Sequence, residues 1–272
     1  MQPLVTTAWL ADNLENVRIA DATLLDPSLG RDAYAEYQAG QIPRAVFLDL
    51  ANLRDTASSL PNMLPDAKTA AAHLSRLGLG DGARIVLYDD SPWRTAARAW
   101  WLLKSFGIGD VAILDGGLAR WRAESRALAS GTEQAAPLPA TPDVNPARLR
   151  TLCQMQANVA SGGEQVLDAR SPARFAGNED DPHGAAPGHI PNSHNLHYAR
   201  LFNPDGTYKQ GDALRAEFAG IDLDAPIVAT CGSGVTGATI AFALHLLGRE
   251  AALYDGSWSE WGTHPDTPKA TV

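Results

Sequence analysis

The sequence predicts an α/β protein of two tandem domains, each a mostly parallel sheet with helices on both faces. Three observations carry that expectation: an ordered internal repeat, an alternation of short β-rich runs with helical patterns, and a proline-rich stretch between the repeated halves. The first half holds "IADATLLD", "GQIPRAVFLDL", "ARIVLYDDSPWRTAARAWWLLKSFG" and "AILDGGLARW". The second holds, in the same order, "VLDARSPARF", "GHIPNSHNLH", "APIVATCGSGVTGATIAFALHLLG" and "ALYDGSWSEW". This alignment sets Asp21 against Asp168, Ile42-Pro43 against Ile190-Pro191, Asp89 against Cys231, and Asp115-Gly116 against Asp255-Gly256.

Between the halves, Ser130 to Pro146 contains four prolines and neither helical nor strand periodicity, which reads as an extended linker. The expected boundaries are therefore a first domain at 1–129, a linker at 130–146 and a second domain at 147–272. In the second domain, Gln165 to Asp168 and Ile227 to Thr230 have the character of buried strands. The following "GATIAFALHLL" is apolar nearly all round, as a buried helix is, and stops at Gly248, a natural residue for a helix C-terminus. Strands that alternate with helices favour a parallel sheet, and ligands of such sheets sit beyond the carboxyl ends of the strands. That rule places Cys231 at the mouth of a site.

Composition removes several classes of function. Hydrophobic residues at 45% and charged residues at 19% are ordinary for a globular protein, and no apolar run is long enough for a membrane helix. A net charge of -9 without clustered Lys and Arg argues against a nucleic-acid partner. The first twenty residues have neither a basic leader nor an unbroken apolar core, and the two cysteines, Cys153 and Cys231, make no disulfide framework. A reduced, cytoplasmic setting is expected. His194 and His197 lie three apart, but no suitably spaced partner completes a metal site, and no cofactor motif is found.

"CGSGVTG" has the composition of an anion-cradling turn. Gly232 and Gly234 free the backbone so that successive N–H groups can converge, and the next helix aims its positive end at the same point. Such surroundings favour a thiolate and make Cys231 a candidate nucleophile. Cys153 has no such context and reads as a small buried residue. A phosphatase of the Cys-x5-Arg type needs arginine six positions after the nucleophile, where this chain has Gly237, and no Lys or Arg occurs between Gly232 and Arg249. A sulfur transferase needs only a thiolate to take up a terminal sulfur and backbone donors to hold it.

The two-part layout, "GHIP" (188–191), "CGSGVT" (231–236) and "YDGSWSEW" (254–261) resemble the tandem rhodanese-type sulfurtransferases, and "RDTASSLPNMLP" (54–65) and "LDGGLARW" (114–121) extend the resemblance over nearly the whole chain. It implies two rhodanese-like domains, a catalytically silent first one, in keeping with Asp89 at the cysteine position, and transfer through a Cys231 persulfide. Gly-Ser after the cysteine is the pattern of enzymes acting on 3-mercaptopyruvate, whereas thiosulfate enzymes carry Arg-Lys. The backbone N–H groups of Gly232, Ser233, Gly234, Val235 and Thr236 would hold the sulfane sulfur. Hydroxyls of Ser233 and Thr236 would assist the thiolate or relay a proton, or simply cap the helix.

The resemblance also assigns Arg174 to the donor carboxylate or carbonyl, and leaves Arg170 a structural role. Two departures stand out. Pro182-His183 replaces a usual Pro-Arg pair, so His183 would grip a carboxylate less firmly than arginine does. Gln41 stands where the family has a histidine and cannot take up a proton, which interrupts any relay through Asp32 and Ser233. His189 reads as a structural bond-maker. Trp258 and Trp261 read as core, with a place lining the pocket as the alternative. The partners implied are a small-molecule sulfur donor and an acceptor such as cyanide or a thioredoxin-like thiol, served by a monomer. The competing expectations are thiosulfate as donor, and a persulfide carrier or thiol sensor with little turnover.

Overall fold

Short runs such as Ile227–Thr230 are buried along their whole length, which suits a strand covered on both faces of a parallel sheet. The computed structural model describes residues 1–182 and 184–272, so His183 lies outside the described residues. The chain forms two compact units. The first comprises Met1–Thr56, Leu64–Val144 and Pro204–Thr207, and the second Ala57–Met63, Asn145–Asn203 and Tyr208–Val272.

Strands β1 (Leu4–Val5), β2 (Arg18–Asp21), β3 (Ala45–Phe47), β4 (Arg84–Tyr88) and β5 (Asp110–Leu114) build one sheet in the order β1-β5-β4-β2-β3. Strands β6 (Leu149–Arg150), β7 (Gln165–Asp168), β8 (His194–Asn195), β9 (Ile227–Thr230) and β10 (Ala252–Tyr254) build the other in the order β6-β10-β9-β7-β8. Every pair is parallel, and both sheets have one topology. In the second sheet the chain runs outward from β7 to β8 and returns to β9 on the other side of β7. The carboxyl ends of β7 and β9 thus flank the switch point where such sheets bind ligands.

Alternate residues of the strands feed two core layers. On one face of the second sheet Val166, Val228, Ala252 and Tyr254 pack with Met155, Trp258 and Trp261. Leu167, Ala229 and Leu253 point the other way and are fully buried, and the helix Gly237–Leu246 covers that face. This helix ends in a Schellman motif: Gly248, at φ 74°, donates its N–H to His245 O, and Arg249 N–H donates to Leu244 O. The helix Leu152–Ser161 opens on a capping box of Thr151 and Gln154 and turns Met155 inward. Cys153 corrects the sequence expectation: it is exposed, because the inward stripe of that helix runs through Leu152, Met155 and Val159 and passes it by.

The segment expected as a linker is extended, as its prolines require, and it packs along the first unit. Gly131 N–H donates to Gln38 O at 2.8 Å, Leu138 N–H to Ser75 O at 3.0 Å, and Pro139 O accepts from Asp81 N–H at 2.8 Å. The main division in the chain falls after Val144, and two short segments, 57–63 and 204–207, pack with the opposite half.

The first unit also buries two carboxyls beside each other in sequence-aligned places. Burial pushes Asp21 from the usual 3.8 up to about 6, against hydrogen bonds from Thr23 and Tyr88. Burial does the same to Asp89, to about 6, against N–H donors of Ala96 and Ser91. A carboxyl held at about 6 in the native state keeps its proton where the unfolded chain has already lost it. Its contribution to stability is therefore full below about pH 4 and is lost as pH rises through about 6. Asp21→Asn should shrink the stability difference between pH 4.5 and pH 7 by on the order of 2 kcal/mol. Urea unfolding at the two pH values measures it, and an unchanged difference refutes the assignment.

Candidate functional site

The apolar β9 delivers Cys231 to its carboxyl end, where the residue is 1% exposed. Its N–H donates to Ser257 Oγ at 3.3 Å, its Sγ lies 3.9 Å from the same Oγ, and its carbonyl accepts from Trp258 N–H at 3.0 Å. Ser257 donates its own proton to Tyr254 O at 2.8 Å, so the hydroxyl is fixed under the sulfur. The residue holds φ at 50°, in the left-handed region, where the aligned residue of the first unit is Gly117 at 57°.

From Cys231 the chain passes through Gly232–Thr236 before the helix Gly237–Leu246 begins. Gly234 takes φ 79°, open to glycine without strain. Gly237 lets the helix start against the strand, since a Cβ there would lie 2.8 Å from Leu253 and 3.1 Å from the Thr230 backbone. Thr236 occupies the N-cap position without a side-chain cap bond, so the alternative that its hydroxyl only caps the helix is not realised. Val235 is buried, and its carbonyl accepts from Ala238 N–H. Ser233 accepts at Oγ and at its carbonyl from Asn62 Nδ2, at 3.2 and 3.3 Å. The second unit includes Asn62 through the segment Ala57–Met63.

The first unit shows what this loop geometry holds. Asp89, aligned with Cys231, accepts at Oδ1 from Ser91 N–H at 2.9 Å and at Oδ2 from Ala96 N–H at 2.8 Å. Its helix Ala96–Ser105 likewise lacks a side-chain cap bond. A carboxyl at this position thus accepts from one loop amide and one helix-terminal amide, which offset part of the burial that raises it, and amides of the same kind would face a thiolate or a persulfide in the second unit.

Arg174 reaches the loop from the short helix Pro172–Ala176, which follows the carboxyl end of β7 and is capped by Ser171. Its guanidinium lies over Gly232, where a Cβ would come within 3.0 Å of Nη2. The same Nη2 is ion-paired to Asp181, whose side chain is buried, and among the described residues the buried Nε has no hydrogen-bond partner. The structure therefore brings together Cys231, Gly232, Ser233, Gly234, Val235, Thr236 and Arg174, while His183 lies outside the described residues. Asn62, Asp181 and Ser257 complete the site and were not singled out from the sequence. Ser257 and Asn62 lie within the quoted stretches "YDGSWSEW" and "RDTASSLPNMLP", whereas Asp181 lies in neither.

Other candidates have structural duties. Arg170 makes a two-pronged pair with buried Asp168, donates to Gly188 O and lies 4.4 Å over the Trp258 ring. His189 Nδ1 bonds Phe175 O at 2.8 Å, and the two rings stack. Trp258 and Trp261 are core residues whose indole N–H groups donate to Ala186 O and Pro268 O. In the first unit, Gln41 is buried and donates to Gly131 O, and Asp32 caps the helix Ala33–Ala39. Among the described residues no group of three or more His, Cys, Asp or Glu could hold a metal ion.

A family model for the rhodanese-like domain matches residues 6–124 and 151–264. The thiosulfate/3-mercaptopyruvate sulfurtransferase 1, mitochondrial, of Arabidopsis thaliana is 38% identical over 298 residues, covering 100% of this chain and 79% of that protein. The 3-mercaptopyruvate sulfurtransferase of Homo sapiens is 37% identical over 270 residues, covering 95% of this chain and 91% of that protein. The crystal structure of SseA from Escherichia coli, described as a 3-mercaptopyruvate sulfotransferase with the rhodanese fold, superposes with a TM-score of 0.87 at 34% identity, covering 95% of this chain and 99% of that one.

Proposed function

Since the chain belongs to the rhodanese family, we propose that it is a sulfurtransferase that moves the sulfur of 3-mercaptopyruvate through a Cys231 persulfide to cyanide or a thiol. The observation that carries this reading is the pairing of Cys231 with an anion-holding loop whose counterpart in the first unit grips the Asp89 carboxylate. The absence of Lys and Arg from Gly232 to Gly248 supports mercaptopyruvate over thiosulfate, whose sulfonate benefits from cations beside the transferred sulfur.

The Cys231 thiolate attacks the donor sulfur. The carbon–sulfur bond breaks with its electron pair going to carbon, and the pyruvate enolate so formed takes the proton that the donor thiol brought. The persulfide anion remains on Cys231, held by N–H groups of Gly232 to Thr236, while Arg174 binds the donor's carboxylate or carbonyl. An acceptor nucleophile then takes the outer sulfur and returns the thiolate. Ser257 holds the Cys231 backbone, and Asn62 fixes Ser233, so the loop needs little reorganisation between the two half-reactions. Because Cys231 is 1% exposed, a small donor suits the site better than a flat protein surface.

Every residue named in this scheme comes from one chain, so a monomer suffices. Both cysteines are free, which supports the cytoplasm as the compartment, and among the described residues no helix is long and apolar enough to cross a membrane. Steady-state transfer to cyanide from 3-mercaptopyruvate and from thiosulfate tests the reading. A kcat/KM at least roughly tenfold higher for mercaptopyruvate is expected. Faster turnover of thiosulfate would reverse the donor, and inactivity with both would leave a persulfide carrier.

A further inference from the structure

Arg174 does not face the loop as a free cation. Its Nη2 is bound to Asp181, and the Asp181 side chain is only 3% exposed, so the partner is built into the site rather than borrowed from its surface. The loop supplies no cation of its own from Gly232 to Gly248. The guanidinium over Gly232, the residue after Cys231, is therefore paired with a carboxylate from the chain itself. Among the described residues its buried Nε has no hydrogen-bond acceptor.

We infer that Asp181 is a specificity-determining residue: by pairing with Arg174 it lowers the positive potential at Cys231 and so turns away donors that concentrate negative charge next to the transferred sulfur. This rests on the sulfurtransferase reading. Thiosulfate carries its charge on oxygens of the sulfur directly bonded to the one transferred, and its leaving group is the sulfite dianion. In 3-mercaptopyruvate the carboxylate stands beyond two carbons from that sulfur, where hydrogen bonding rather than net charge can hold it. The selection is a penalty on the wrong donor as much as a fit to the right one.

Asp181→Asn keeps the shape and an acceptor for Nη2 but removes the charge, and Asp181→Glu restores it. In Asp181→Asn the ratio of kcat/KM for thiosulfate to that for 3-mercaptopyruvate should rise roughly tenfold, and Asp181→Glu should return it toward the parent value. A second readout needs no turnover. In a Cys153→Ser background, which removes the exposed thiol, the rate of Cys231 alkylation by iodoacetate relative to neutral iodoacetamide should rise by a similar factor in Asp181→Asn. Both rises should vanish when Arg174→Met is added, because the effect passes through Arg174. Ratios within twofold of the parent, or rises that persist without Arg174, overturn the inference. Loss of turnover with both donors in the parent protein would instead overturn the proposed function, and the alkylation ratio would still decide the role of Asp181.

Discussion

Cys231→Ser is expected to lower sulfur transfer by at least about 10³-fold with either donor and to leave the fold intact. The thiol is the atom that must carry the transferred sulfur, and a serine hydroxyl forms no persulfide. Structurally the exchange is mild. Sγ makes one weak polar contact, 3.9 Å from Ser257 Oγ, and the backbone N–H and carbonyl of residue 231 keep their partners whichever side chain is present. Thermal unfolding should shift by no more than about 1 kcal/mol in stability, the scale of one neutral hydrogen bond gained or lost. Mass spectrometry after mixing with donor should show one added sulfur atom on the parent and none on the variant. Substantial transfer by the variant would remove Cys231 from the mechanism.

Arg174→Ala should lower kcat/KM for 3-mercaptopyruvate by about 10- to 100-fold, chiefly through KM, as expected when a charge-assisted contact made in both ground and transition states is lost. Sulfur loading at saturating donor should survive, because Cys231 and the loop amides do not depend on this side chain. The variant also removes one partner of the buried Asp181 carboxylate, so some stability goes with it, on the order of 1–3 kcal/mol. Steady-state kinetics together with urea unfolding separate the two effects. An unchanged KM would show that Arg174 serves only to satisfy Asp181.

Most of the architecture was legible in the sequence because it rests on local chemistry. β9 is an apolar run, the loop after it is rich in glycine, and the helix beyond is apolar all round and closes at Gly248. Those signals also fixed Cys231 at a strand's carboxyl end, and the repeat located Asp89 as its counterpart. The remainder depends on contacts between residues far apart in the chain. Asn62 meets Ser233 across 171 positions, and although it lies in the quoted stretch "RDTASSLPNMLP", the stretch does not reveal which of its residues supports the loop. Asp181 stands among three acidic residues, Glu179 to Asp181, and only folding selects the one that pairs with Arg174. Cys153 was misplaced because residue type outweighed helical phase, and phase decides which side of a helix is covered.

Ser257 illustrates a trade between durability and chemistry. At the same bend the first unit, which has no cysteine to serve, uses glycine and rests there without penalty. The second unit holds an ordinary side chain in a backbone region that costs an L-residue roughly 1–2 kcal/mol. In return it gains a hydroxyl that cannot drift away from the sulfur. The duplicated halves thus preserve, within one polypeptide, a relaxed and a strained version of a single turn, and the difference between them measures what the nucleophile's half gives up to stay poised.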